Sequence, residues 1–215
     1  MLVSVDESGN QSTKDPYPFV IGIVIIRDEE RYKKDYHNFF GDRIFKYSED
    51  KPKISNVEGN VKGEFISFLS ARIFSIAIIV EKFEDIKSLA VDIYGKLVAF
   101  HLRKIDLKGK VKVLYDRNPL LKKDEKLYIQ NNFHYWLKYI KGIWISVSFE
   151  GKDKDITIFP ADYVAGLTRD YELCMEREIK NEKYCGLIRE WIDLLSPCIY
   201  FYTTSEIREI VRELN

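Results

Sequence analysis

A mixed α/β domain is what this sequence predicts, and three observations carry the prediction. The runs Phe19–Ile26 (FVIGIVII) and Ile73–Val80 are almost wholly apolar, as strands covered on both faces would be. The link from the first strand to the second is short enough for an antiparallel hairpin, whereas the later strands are separated by segments long enough to hold crossover helices. Antiparallel strands therefore come first, then strand–helix–strand alternation, then helices, which describes a five-stranded mixed sheet flanked by helices with extra C-terminal helices.

Each element has its own signal. Leu2–Glu7 is the first strand, and Ser8–Pro18, rich in small and polar residues, is the turn. After Phe19–Ile26, Glu29–Tyr47 reads as a charged helix with an aromatic stripe at Tyr32, Tyr36, Phe39 and Phe40. A loop with Pro52 leads to a short helix near Gly63–Ala71, followed by strand Ile73–Val80 and a helix over Ser88–Arg103 that starts from a serine cap. Lys110–Tyr115 is the fourth strand, and Asn118-Pro119 opens a helix that ends near Lys141. Ile143–Phe149 alternates as a fifth strand, and Ile156–Phe159 reads as a short strand running into a helix. The tail holds a helix (Leu187–Leu195), a strand-like Ile199–Thr203 and a helix from Ser205. No repeat or low-complexity linker divides this order, so residues 1–215 are read as one domain with 196–215 as an extension that could serve a homodimer.

Composition narrows the class further. Lys+Arg and Asp+Glu balance at 34 each, so no global charge advertises a nucleic-acid partner. Charged residues reach 32% and glutamine occurs only at Gln11 and Gln130, a bias shared with heat-adapted proteins. Cys174, Cys185 and Cys198 are odd in number and fit neither a zinc motif nor a disulfide framework, so they are read as buried thiols in a reducing cytosol. No signal peptide and no apolar run of membrane-crossing length is apparent, and the expected location is cytoplasmic.

Three aspartates stand out from this frame. Asp6 closes the apolar run of VSVDESG, Asp116 closes that of VKVLYDR, and Asp162 falls in the first turn of the helix begun by FPADYVAG. Any one of them has an ordinary structural role: a strand-end carboxylate accepting turn amides, or an acid complementing a helix dipole. Together they suggest a divalent-metal site, because hard cations need several oxygen ligands from a rigid frame, and their carboxylates are expected to converge on a shared cation. Alternation assigns Asp6 to the site and turns Glu7 to the other face. Ala165 and Gly166 let the helix approach the sheet closely. The stretch Arg103–Lys126 carries nine Lys or Arg against four acidic residues, which is either a phosphate-binding surround for Asp116 or a solvated face.

The segments VDESGNQS, VLYDRN and FPADYVAG resemble the DUF3800 family, a domain of unknown function, across Leu2 to about Tyr171. The resemblance implies an RNase H-like fold and a metal-dependent nuclease whose opening DESG strand, mid-chain strand ending in aspartate and late Ala-Asp helix build the site. It also implies a glutamate–lysine motif, for which Lys62 in VEGNVKGEF is the counterpart of the lysine. Asn60 stands where the glutamate belongs, so Glu58 or Glu64 would supply the fourth carboxylate, with Glu7 a further candidate.

The expected chemistry is hydrolysis of DNA or RNA phosphodiester bonds with two Mg²⁺ or Mn²⁺ ions, Asp6, Asp116 and Asp162 holding the metal and Glu58 assisting catalysis. The competing expectation is a non-catalytic module that keeps the fold and binds nucleic acid or protein.

Overall fold

The computed structural model describes residues 1–9, 18–47, 58–105, 107–116, 120–137, 141–149 and 155–214, with the side chains of residues 58–60 outside that set. The strands are β1 (Leu2–Ser8), β2 (Phe19–Ile26), β3 (Ile73–Glu81), β4 (Gly109–Tyr115), β5 (Ile143–Ser148) and β6 (Ile199–Tyr202). They form one sheet in the order β5-β4-β1-β2-β3-β6. β1 to β3 make an antiparallel meander, β4 lies parallel beside β1, β5 beside β4, and β6 beside β3.

The sheet has six strands rather than the expected five, because the tail segment Ile199–Tyr202 pairs with the outer edge of β3. With β2 on one side of β3 and β6 on the other, the crossover after β3 carries the chain back to β1. The resulting register sets Val5 against Tyr115.

The helices are α1 (Glu29–Phe40), α2 (Glu58–Ser70), α3 (Phe83–Ser88), α4 (Val98–Arg103), α5 (Lys123–Trp136), α6 (Phe159–Met175), α7 (Glu182–Leu195) and α8 (Thr204–Leu214). They divide between the two faces of the sheet. Leu2, Val20, Val24 and Ile78 pack with α1, α2, α6 and α7, whereas Val3, Val5, Ile21 and Ile23 pack with α4, α5 and α8. This is why every residue of β2 is buried. At about 2 kcal/mol for each buried aliphatic side chain, the two layers outweigh any single strand's propensity. Ile207, Ile210 and Leu214 of α8 are buried within this chain, so the tail's apolar stripe is used internally.

Several boundaries depart from the sequence reading, each for a local reason. α1 stops at Phe40 instead of Tyr47, because Gly41 turns to φ 60° and its N–H caps the His37 carbonyl. Residues 41–47 then form a loop. The expected strand at Ile156–Phe159 is a turn leading straight into α6: the Asp155 carboxylate accepts hydrogen bonds from the Thr157 N–H and hydroxyl, and the Asp155 carbonyl accepts from Ile158. The expected helix over Ser88–Arg103 contains a π-helical turn at Asp92–Leu97, where Gly95 lies against Trp136. A β-carbon at Gly95 would fall 2.4 Å from the indole. Most of the Ser8–Pro18 turn, the Pro52 loop and Asn118-Pro119 lie outside the described residues.

The cysteine reading is corrected too. Cys174 and Cys185 form a disulfide with their Cα atoms 5.6 Å apart. They are 11 positions apart, which obscures the pairing in the sequence. The hairpin between α6 and α7 brings the end of one helix beside the start of the other. Cys198 is the free cysteine.

A buried histidine ties β6 to the core. His101 Nε2 lies 2.8 Å from Ser75 Oγ, and Nδ1 lies 3.0 Å from the Tyr202 hydroxyl, which also accepts from Lys104. Whichever tautomer the imidazole takes, one ring nitrogen donates and the other accepts, and both hydroxyls can serve either role. Burial, with the Lys104 charge, lowers the His101 pKa to about 4. The folded pKa is below the unfolded one, so His101 contributes stability above pH 6.5 and loses it as pH falls toward 4. The full contribution is about 3 kcal/mol. From pH 7 to pH 4, urea unfolding should show wild type losing more stability than His101→Gln by about this amount. An identical pH dependence in both would exclude the histidine as its source.

Candidate functional site

The site grows from the register between β1 and β4. Leu2, Ser4 and Asp6 share one face of β1, and Lys112, Leu114 and Asp116 share the same face of β4. The Asp116 N–H donates to the Val5 carbonyl at 3.0 Å, extending the ladder one step past Tyr115. Asp6 and Asp116 thus sit side by side at the C-terminal ends of two parallel strands about 4.8 Å apart, where ligand sites of α/β sheets lie.

α6 brings the third aspartate. The partner of Asp6 on β2 is Gly22. A β-carbon there would lie 3.2 Å from the Ala161 carbonyl and 3.4 Å from the Ala165 β-carbon, so the missing side chain lets α6 rest on the sheet. Asp162, beside Ala161, comes down near Asp6. Its Oδ2 accepts the Tyr47 N–H at 2.7 Å. The sequence reading placed both small residues of this helix against the sheet. The structure divides them: Ala165 meets Gly22, and Gly166 meets the Tyr47 ring instead.

The charges of Asp116 and Asp162 both act on Asp6. Burial pushes the Asp6 carboxyl well above the usual range, and the charges of Asp162, Asp116 and Glu7 push it further, against one hydrogen bond from the Glu7 N–H at 2.8 Å. Asp6 is 8% exposed. Among the described residues, no three His, Cys, Asp or Glu side chains are grouped closely enough to hold one ion. The aspartates therefore meet as electrostatic neighbours of Asp6, not as the ready-made three-ligand cage that was expected.

Glu7 has a role that alternation concealed. It turns to the other face, where the Tyr94 hydroxyl donates to its Oε2 at 2.9 Å. Tyr94 belongs to the π-helical turn. Burial and the Asp116 charge raise Glu7 to about 7, while the Tyr94 hydrogen bond and the Lys126 charge act against them. Asp116 is thus felt by carboxylates on both faces of β1. The adjacent Asp-Glu pair in DESG was the available signal, but a strict reading of period two sets it aside.

The remaining expectations fall differently. Glu64 is exposed two residues from buried Lys62, so it points away from the side of α2 that carries the lysine. Glu58 opens α2 one turn before Lys62, and its side chain lies outside the described residues. The Lys62 ammonium sits 3.6 Å over the Tyr47 ring, next to the backbone that holds Asp162. The basic stretch is divided: Lys104 bonds Tyr202, Lys112 pairs with Glu29 at 3.7 Å, and Lys126 reaches the Glu7 side. Lys122 and Lys123, at the start of α5, are exposed. No helix of the described residues is long and apolar enough to cross a membrane.

No protein-family model matches the chain, and no curated protein sequence does. The fold is similar to that of ribonuclease H2 from Pyrococcus horikoshii OT3, with 18% identity over 84% of this chain and 77% of that one and a TM-score of 0.50. The RNase HII of Archaeoglobus fulgidus, solved in complex with PCNA, aligns over 86% of this chain and 77% of its own at 14% identity and a TM-score of 0.48. What the first similarity establishes is the architecture: a mixed α/β fold of the ribonuclease H2 kind, here with a six-stranded sheet.

Proposed function

We propose that this protein is a divalent-metal-dependent nuclease of the DUF3800 kind that hydrolyses phosphodiester bonds of DNA or RNA. The observation that supports the proposal is buried Asp6 at the end of β1, with Asp116 at the end of the neighbouring parallel strand and Asp162 on α6 both near enough for their charges to raise its pKa. The donor set suits Mg²⁺ or Mn²⁺: it offers only carboxylate oxygens, and the mutual repulsion at buried Asp6 is of the kind a dication relieves. Bound ions would supply an activated water and charge stabilisation for the leaving oxygen.

The chain's own residues would do the rest. Asp6, Asp116 and Asp162 would hold the metal from three rigid elements. Glu7, raised to about 7 and fixed by Tyr94, can hold or release a proton near neutral pH beside Asp116. Lys122 and Lys123 offer exposed positive charge at the start of α5 for a phosphate backbone.

The test is a panel of single-stranded, double-stranded and hybrid DNA and RNA substrates, run with wild type and Asp162→Ala. Cleavage is expected with Mg²⁺ or Mn²⁺, none with EDTA, and little with Ca²⁺, whose looser coordination does not fix the geometry. Asp162→Ala should abolish cleavage and retain binding. Tight binding of several substrates without cleavage under any metal would instead make the protein a non-catalytic binding module.

A further inference from the structure

One stripe of α6 carries Asp162, Gly166 and Asp170 at successive four-residue steps, and Tyr47 lies lengthwise along it. At one end its N–H donates to Asp162 Oδ2 at 2.7 Å. At the other end its hydroxyl donates to Asp170 Oδ2 at 2.7 Å, an oxygen that also accepts the Tyr184 hydroxyl at 2.5 Å. Between them the ring lies flat on the helix backbone. A β-carbon at Gly166 would fall 2.2 Å from the Tyr47 Cδ1 atom, so this closeness needs glycine. The outer face of the ring is covered by the buried ammonium of Lys62, 3.6 Å from the ring centroid.

A tyrosine held at both ends and clasped on both faces does more than fill space. The loop over residues 41–47 delivers one backbone N–H to one carboxylate, and the ring fixes where that N–H points. We propose that Tyr47 is the positioning residue for Asp162: docked in the Gly166 notch and anchored on Asp170, it locks the orientation of the Asp162 carboxylate toward Asp6. The role rests on the reading of Asp162 as a site carboxylate. It also accounts for the glycine of FPADYVAG, which makes room for the tyrosine and is not the residue that meets the sheet.

The proposal is tested with Tyr47→Phe, Tyr47→Ala and Gly166→Ala in the full chain. Tyr47→Ala and Gly166→Ala should weaken Mn²⁺ binding, followed by electron paramagnetic resonance, and lower kcat by about 10- to 100-fold each, the range for partners that orient a metal ligand. KM for the nucleic acid should stay within about threefold, because no phosphate contact is touched. Tyr47→Phe keeps the ring and the N–H but loses the Asp170 anchor, and should recover only part of both losses. Tyr47→Phe also keeps the experiment informative if Gly166→Ala fails to fold. In the metal-free protein, Asp162→Ala should release the Tyr47 amide to hydrogen exchange while leaving the amides of β2 protected. Equal protection of that amide in wild type and Asp162→Ala, or wild-type Mn²⁺ affinity and kcat in Tyr47→Ala, would overturn the proposal. Should wild type neither bind Mn²⁺ nor cut, the nuclease reading fails, and the amide exchange decides the positioning role by itself.

Discussion

Asp6→Asn is expected to be more stable than wild type in the absence of metal by about 1–2 kcal/mol and slower as a nuclease by about a thousandfold. The two effects have one origin. Asp6 is buried near Asp162, Asp116 and Glu7, and its pKa is raised first by that burial and then by those charges. A carboxyl whose folded pKa is above its unfolded value favours the folded state below the unfolded pKa, and this advantage disappears as pH rises through the folded pKa. Ionising this carboxyl inside the fold is a cost that asparagine removes, and the asparagine oxygen can still accept the Glu7 N–H. The same substitution removes a carboxylate oxygen from the proposed metal-binding set. Urea unfolding of metal-free protein at pH 5 and pH 8, with cleavage assays alongside, checks both. A loss of several kcal/mol in the metal-free variant would mean that Asp6 is a structural anchor.

The disulfide gives the second large effect. Cys174 and Cys185 close a loop of about a dozen residues, which in the chain-entropy account stabilises by about 3 kcal/mol. The paired replacement of both cysteines by serine should therefore lower Tm by about 6–12 °C. Wild type in a strong reductant should show the same shift, and the double variant should be indifferent to reductant. The bond lies close to the site's support: Cys174 follows Asp170 by one turn of α6, and Cys185 follows Tyr184. If Tm is unchanged on reduction, the Asp170–Tyr184 contact and the apolar packing hold the hairpin without it.

The parts of this architecture visible in the sequence are those set by local physics. β2 coincides with its apolar run from Phe19 to Ile26, and β4 ends at Tyr115 as its alternation requires, because burial patterning acts residue by residue. Asp6, Asp116 and Asp162 could be singled out because each ends or opens an element. Residues that act through a distant partner were not visible. Tyr47 reads as the last position of a helix, yet Gly41 releases it to reach α6, 115 residues later. Glu7 reads as facing away, and only its own burial, the Tyr94 hydrogen bond and the nearness of Asp116 give it chemistry. The Cys174–Cys185 pair depends on the angle of a helical hairpin, which no spacing rule supplies.

The strand order also determines when the site can exist during folding. β1, β2 and β3 are neighbours both in sequence and in space, so the meander that carries Asp6 needs only local closure. The pairing of Leu2 with Lys112, like that of Ile76 with Ile199, joins residues more than a hundred positions apart. Such contacts require large loops to close before they are rewarded, and they form late. Asp116 and Asp162 reach Asp6 only after that closure. A nascent or partly unfolded chain therefore carries its first carboxylate on a formed hairpin while the others stay dispersed, and the proposed metal site can assemble only with the long-range half of the sheet.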